Sequence, residues 1–411
     1  MRLDYGVMRA PANILFGNGQ LAALGHVAKG LGTKVLVCTD ARFAALDIMQ
    51  TIRSDLENHG LSIEVFADTE AELPLQGILD CVARYKEFSP DVIVGLGGGS
   101  CLDMAKLVSL LLTYDRPVEE FYGEFKVPGP IRPVIAVPTT SGTGSEATPV
   151  AVLADPSKAT KVGISSPELI PHTAICDPEL TVSCPKGLTA ISGADALAHA
   201  IEAYSAVARE PDPAMALTRV FVGQNCMTEI FALEAITQIS KFLRRAVTDG
   251  TDLEARGAVM LGSTLAGLAF GTGGTSAAHA IQYPVGAETH TAHGLGIGIL
   301  LPYVLEYNFS DAVSAYAQIG RAMGVADSQT PDTDAARAMV TEIRHLFSEI
   351  GIPDTLVEID VAEDSLARLA EGSMGAARLV DNNPRTLDAT GALTILQNAF
   401  GGRHAAPSDL S

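Results

Sequence analysis

The chain has 411 residues, 47% of them apolar, and a formal charge of −20. That length accommodates two substantial domains. The acidity excludes a nucleic-acid partner, whose phosphates need clustered Lys and Arg, and an anionic membrane surface; it reads as a solvated surface. No apolar run approaches the roughly 18 residues of a membrane span. The start, MRLDYGVMRAPANILFG, lacks the basic-then-apolar secretory pattern, so the expected location is the cytoplasm. Six scattered cysteines (Cys38, Cys81, Cys101, Cys176, Cys184, Cys226) form no CxxC pair and read as small buried hydrophobes. Cys101 follows a glycine loop directly, where it either packs or faces a nucleotide.

The first half alternates β-branched runs with helical stretches. KVLVCT (34–39) precedes a helix expected over 41–59, and LSIEVFA (61–67) reads as another strand. DVIVGL (91–96) runs into GGGSCLDMAKLVSLLL, and PVIAVP (133–138) into TTSGTGSEAT. This alternation predicts a parallel α/β sheet with helical crossovers, whose ligands gather at the carboxyl ends of the strands. After about residue 187 the apolar spacing becomes helical throughout. The expected organisation is an α/β dinucleotide-binding domain at 1–187 and an all-helical metal-binding and substrate domain at 188–411, with HAAPSDLS a loose tail.

Gly97, Gly98 and Gly99 let backbone N–H groups approach an anion at the end of a strand, and a following helix would aim its positive end at the same point. Ser100 and Asp103 have the S-x-x-D form of a capping box. At the next strand end, PTTSGTGSEAT supplies Thr139, Thr140, Ser141, Thr143 and Ser145, hydroxyls suited to phosphate and ribose. Asp40 ends the strand KVLVCTD, where a carboxylate accepts from a ribose diol and repels a 2′-phosphate, or caps the next helix.

Asp195 and His199 are four residues apart in GADALAHAIEAYSA, on one helical face. His279 and His293 lie in SAAHAIQYPVGAETHTAHGLG, where Pro284 and Gly286 predict a turn between them. One carboxylate and three imidazoles suit Fe(II) or Zn(II) and leave a coordination position open. His26, His59, His172, His345 and His404 carry no such context.

GGGSCLDMAK, PTTSGTGSEAT, GADALAHAIEAYSA and HAIQYPVGAETHTAHGLGIGILLPYVLEYN together resemble the iron-containing (group III) alcohol dehydrogenases, from RAPANILFGNGQL to DNNPRTLDATGALTILQNAF. The resemblance implies the dehydroquinate synthase-like pair of domains and a homodimer or larger assembly. It implies hydride exchange between NAD(H) and a small primary alcohol or aldehyde. By position, Asp195, His199, His279 and His293 match the metal ligands, with Fe(II) favoured over Zn(II). Gly97, Gly98 and Ser100 match the pyrophosphate loop, and Thr139, Thr140 and Thr143 the second cofactor loop. Asp40 matches the ribose carboxylate of NAD-preferring members, Lys161 a lysine near the nicotinamide ribose, and Phe270 an aromatic beside substrate.

One position departs from that pattern. Members often carry a histidine four residues after the third metal ligand, implicated in proton transfer; here it is Tyr283, a poorer proton acceptor near neutrality. His290, three residues before His293, is a spare imidazole. Related enzymes acting on sugar phosphates or hydroxy acids (glycerol dehydrogenase-like) call for basic residues, and no Lys or Arg flanks the metal motifs. Maleylacetate reductases lack the full ligand set present here. A non-catalytic NAD- and metal-binding protein would bind NAD without turning over any aldehyde.

Overall fold

The computed structural model describes residues 3–158 and 161–410. They form two compact units: residues 9–184 with 216–220, and the remaining described residues. The chain therefore changes unit at 8/9, 184/185, 215/216 and 220/221 rather than once after 187. The cause is local hydrogen bonding. The Arg9 guanidinium donates to the carbonyls of Val220 (2.6 Å) and Ala216 (2.7 Å), and Val220 N–H donates to Glu124 at 2.7 Å. Residues before Arg9 join the other unit, where Tyr5 C=O accepts from Cys226 N–H and Val7 N–H donates to Asn225.

In chain order the α/β unit contains β1 (Asn13–Phe16), α1 (Leu24–Leu31), β2 (Lys34–Cys38), α2 (Ala41–Ala44), α3 (Asp47–Asn58), β3 (Ser62–Phe66), α4 (Leu75–Tyr85), β4 (Val92–Gly97) and α5 (Gly99–Thr113), followed by β5 (Gly123–Glu124), β6 (Val134–Pro138), β7 (Val150–Leu153), β8 (Val162–Ser165) and β9 (Thr173–Cys176). The main sheet is all parallel in the order β1-β9-β6-β4-β2-β3. Its central strands β9, β6, β4 and β2 are almost wholly buried apolar runs because both faces are covered, whereas the edge strand β3 alternates exposed and covered residues. Val35, Val37, Val92 and Val94 enter one core, while Leu36, Cys38 and Ile93 enter the other. The chain leaves β2 toward β3 and leaves β4 toward β6, so the switch point of the sheet lies between the carboxyl ends of β2 and β4. A second, small sheet, β5-β8-β7, has no counterpart in the sequence reading. The helix expected over 41–59 breaks because Leu46 turns to an extended conformation (φ −82°, ψ 146°) and packs on the core.

The other unit is helical: α6 (Lys186–Ser205), α7 (Met215–Thr218, shared at the crossing), α8 (Cys226–Thr248), α9 (Leu253–Gly273), α10 (Ala277–Thr289), α11 (His293–Ala322), α12 (Asp332–Glu349), α13 (Leu366–Ser373), α14 (Ala377–Val380) and α15 (Ala389–Gly401). The small side chains of ADALAHAIEA let α6 pack against α8, α9 and α11 at once, and it is buried from Gly193 to Ser205. Pro284 and Gly286 do not make the expected turn. Both lie inside α10, and the reversal falls at residues 290–292, where His290 adopts a left-handed conformation (φ 54°). The end of the chain is docked rather than loose. His404 sits between Glu306 (2.7 Å) and Asp354 (2.9 Å), Ala405 N–H donates to Glu306, and Arg337 donates to Leu410 C=O.

Candidate metal and cofactor sites

α6 places Asp195, His199 and Glu202 on one face at i, i+4 and i+7. His279 comes from the first turn of α10 and His293 opens α11. The three imidazole Nε2 atoms surround one oxygen: Asp195 Oδ1 lies 3.9 Å from His199, 3.7 Å from His279 and 3.8 Å from His293. Donors sharing an ion at bond lengths of about 2.1 Å stand no more than about 4.2 Å apart. Asp195 Oδ1 and His279 Nε2 are buried and have no hydrogen-bond partner among the described residues. A buried carboxylate oxygen left so is costly unless a cation meets it. The residues fit a divalent ion.

Glu202 went unnoticed in the sequence, although its place seven residues after Asp195 was the available signal. Its Oε2 lies 2.5 Å from His279 Nδ1 and accepts Ser276 N–H at 3.0 Å; its Oε1 accepts Ala278 N–H at 2.8 Å. One carboxylate thus caps the start of α10 and holds a proton on His279 Nδ1, leaving Nε2 as the ring atom that faces Asp195. Burial would raise the Glu202 carboxyl, but His279 and the two backbone N–H groups bring it below the usual range. Burial alone would depress His279; Glu202 and Asp195 outweigh it and carry the imidazole up to about 9. Asp195 is likewise held below the usual carboxylate range, burial opposing and the three histidines prevailing.

Phe270 stacks on His199 with ring centroids 4.1 Å apart and an interplanar angle of 14°. Tyr283 stands 6.2 Å from the His293 ring, and burial raises its phenol above the ordinary value. His290 is exposed at the end of α10.

In the α/β unit, Asp40 caps α2, Oδ1 accepting Phe43 N–H at 2.8 Å, while Oδ2 faces Cys101 Sγ at 3.8 Å. Gly97 bends past both with φ 149°; a Cβ there would lie 2.5 Å from Cys101 Sγ. The loops after β4 and β6 are in contact: a Cβ on Gly99 would meet Thr143 at 2.6 Å, one on Gly98 would reach Thr140 at 3.6 Å, and Thr139 N–H donates to Gly97 C=O at 2.9 Å. The buried Thr139 hydroxyl has no partner among the described residues, as a ligand-facing group would. Ser100 and Ser141 are half-buried in these loops. Burial and Asp40 push the Cys101 thiol up to about 12, so it packs as an inert thiol.

One expectation for this region is corrected. Ser100 and Asp103 form no capping box; α5 has Gly98 at its N-cap and no side-chain cap. Asp103 turns inward, accepting from Ser145 Oγ (2.5 Å) and Val152 N–H (2.9 Å), because the buried loop donors offer it more than the helix end does. Beside it, the fully buried Lys106 donates to the carbonyls of Thr148 (3.0 Å) and Val150 (2.8 Å). Lys161 is ion-paired with Glu72.

The chain matches the iron-containing alcohol dehydrogenase model over residues 11–178 and the C-terminal model of the Fe-containing alcohol dehydrogenase family over 189–400. It is 35% identical over 395 residues to long-chain-alcohol dehydrogenase 1 of Geobacillus thermodenitrificans, covering 95% of this chain and 96% of that one. The crystal structure of a 1,3-propanediol oxidoreductase superposes with a TM-score of 0.90 at 29% identity, covering 96% of this chain and 100% of the other. A sulfoacetaldehyde reductase from Bifidobacterium kashiwanohense, solved in complex with NAD+, superposes with a TM-score of 0.81 at 27% identity, covering 97% and 99%. The chain belongs to the iron-containing (group III) alcohol dehydrogenase family. It is an NAD-dependent, metal-containing oxidoreductase that interconverts alcohols and aldehydes. No helix among the described residues is long and apolar enough to cross a membrane.

Proposed function

We propose that the substrates are short primary alcohols and their aldehydes, and that Asp195, His199, His279 and His293 hold one divalent ion, Fe(II) ahead of Zn(II). The observation that carries this is the buried Asp195 Oδ1, ringed by three Nε2 atoms. When bound, the ion acts as a Lewis acid on the substrate C–O group, and the nicotinamide exchanges the hydride.

The chain's residues divide the remaining work. Glu202 keeps the proton on His279 Nδ1, so that Nε2 remains a lone-pair donor. Phe270 orients the His199 ring by stacking on it and presents an apolar wall that excludes water. Tyr283 keeps its phenolic proton near neutrality and acts as a hydrogen-bond donor, not a base. The exposed His290 fits proton exchange with solvent rather than contact with substrate. Gly97, Gly98, Gly99 and Ser100 receive the pyrophosphate, Asp40 the adenosine ribose, and Thr139, Thr140, Ser141 and Thr143 the rest of NAD(H). Asp103 positions the second loop, and Lys161, paired with Glu72, is assigned to the nicotinamide ribose on the family resemblance. Family resemblance supports a homodimer or larger assembly, which light scattering tests.

NADH consumption with a panel of short aldehydes, after chelation and again after adding anaerobic Fe(II) or Zn(II), tests the reading. Turnover should return with metal and stay absent in His279→Ala. NADH binding without turnover under every metal condition would overturn it.

A further inference from the structure

His26 and His59 are well separated in the sequence but meet on one face of the α/β unit. There α1 and α3 lie side by side, Leu24 and Ala28 of one and Ile52 and Leu56 of the other closing the same core. His26 is exposed on the first turn of α1, and His59 is the C-cap residue of α3. Their ring centroids are 5.5 Å apart, with the planes inclined at 69°. Two features of Gly25 hold them there. Its N–H donates to Asp55 Oδ2 at 2.9 Å, which pins the start of α1 to the last turn of α3. It also lacks the side chain whose Cβ would fall 2.3 Å from His59 Nδ1, so the His59 ring lies against the backbone next to His26.

Hydrogen bonding decides which nitrogen of His59 can act. Nδ1 lies 2.8 Å from the Asp55 carbonyl oxygen, and a carbonyl only accepts, so Nδ1 carries a proton. In the neutral ring the lone pair is then on Nε2, the tautomer that a backbone carbonyl sets for a metal-ligating histidine. The Asp55 carboxylate, 3.4 Å from the same Nδ1, adds negative charge behind the ring. The exposed His26 can turn either nitrogen toward the same point by rotation about its side-chain bonds. Imidazoles that share one ion at bond lengths of about 2.1 Å have centroids roughly 5 Å apart at a tetrahedral angle. The observed spacing is close to that.

We propose that His26 and His59 form a second metal site, which takes a borderline divalent transition ion such as Zn(II) from solution, completes its coordination with water and clamps α1 to α3. It does not rest on the dehydrogenase reading: both histidines lie in the α/β unit, and Asp195, His199, His279 and His293 all lie in the other. Two imidazoles are a smaller donor set than three imidazoles and a carboxylate. Lys29, one turn along α1 from His26 and with its Nζ 3.9 Å from the point a Cβ on Gly60 would occupy, opposes the added charge. The ion is therefore held more loosely than at Asp195 and leaves on desalting. Fe(II), which stands below Zn(II) in affinity for imidazole, is held least.

Equilibrium dialysis of the untagged protein against Zn(II) in a non-chelating buffer, with thermal unfolding followed in parallel, tests the site. The wild type should bind two Zn(II) per chain, and occupancy by the second should raise Tm further. His26→Ala, at an exposed position, should bind the second ion at least about 10-fold more weakly and lose the second rise in Tm, while keeping the first ion and aldehyde turnover. His59→Gln should behave in the same way. His279→Ala should lose the first ion and keep the second, which separates the two sites. A single Zn(II) per chain in the wild type would overturn the second site and leave the dehydrogenase reading intact. A second ion bound with unchanged affinity in His26→Ala would overturn it as well.

Discussion

Glu202 Oε2 and His279 Nδ1 approach to 2.5 Å across two buried helices, and the same carboxylate receives the first backbone N–H groups of α10. The orientation of a metal ligand and the docking of its helix thus depend on one side chain. Glu202→Gln should leave the fold in place, because the amide oxygen still accepts one backbone N–H, but it removes the charge that holds the Nδ1 proton. Metal affinity should fall by about 10-fold to 100-fold, measured by competition with a chromophoric chelator. An unchanged affinity would assign Glu202 to helix capping alone.

Metal binding should depend steeply on pH. In the metal-free protein His279 holds a proton up to about pH 9, Glu202 and Asp195 outweighing burial, whereas an unfolded histidine releases it near 6.5. With the folded value raised, this contribution to stability is complete below about pH 6.5 and is lost as pH rises through about 9. The ion displaces that proton, so apparent affinity should climb by about tenfold per pH unit between about 7 and 9 and then level off. Titration calorimetry in buffers of different ionisation enthalpy counts the released proton. An affinity independent of pH across that window would contradict the assignment.

Asp40 divides its two oxygens between a helix cap and the glycine turn at the switch point of the sheet. Asp40→Ser preserves the cap, at a cost of a few tenths of a kcal/mol, and removes the negative charge that would face a 2′-phosphate. The NADPH-to-NADH ratio of kcat/KM should rise on the order of tenfold. A ratio that does not move would leave Asp40 as a cap only.

Asp103 and Lys106 tie α5 to the segment from Ser145 to Val152. Asp103→Ala strands the Ser145 hydroxyl and the Val152 N–H and leaves Lys106 with less compensation. The cost should be about 2–4 kcal/mol in urea denaturation. The KM for NADH should rise together with that loss, because Thr139 to Thr143 belong to the same loop. A stability loss with no change in KM would show that the loop holds its shape without this tie.

Much of this was legible in the sequence, and the exceptions share a cause. The central strands Lys34–Cys38, Val92–Gly97 and Val134–Pro138 announced themselves as apolar runs, because strands covered on both faces admit little else. The pair Asp195 and His199 was visible because ligand chemistry and helical spacing coincide within four residues. Glu202 was not, since a glutamate in a helix is ordinary until a distant histidine is seen to meet it. Pro284 was misread as a turn because proline usually ends a helix; here it lies inside α10. The docking of His404 and the exchange of residues 216–220 between units both depend on contacts between segments far apart in the chain, which local patterns do not encode.

The central claim is that one divalent ion is held by Asp195, His199, His279 and His293. Elemental analysis of protein reconstituted anaerobically with Fe(II), then desalted, tests it most directly, with circular dichroism confirming that each variant is folded. The wild type should retain one ion per chain and gain thermal stability on loading, while folded Asp195→Ala and His279→Ala should retain almost none and gain nothing. A full equivalent of metal in either folded variant, or none in the wild type at saturating Fe(II) and Zn(II), would contradict the account.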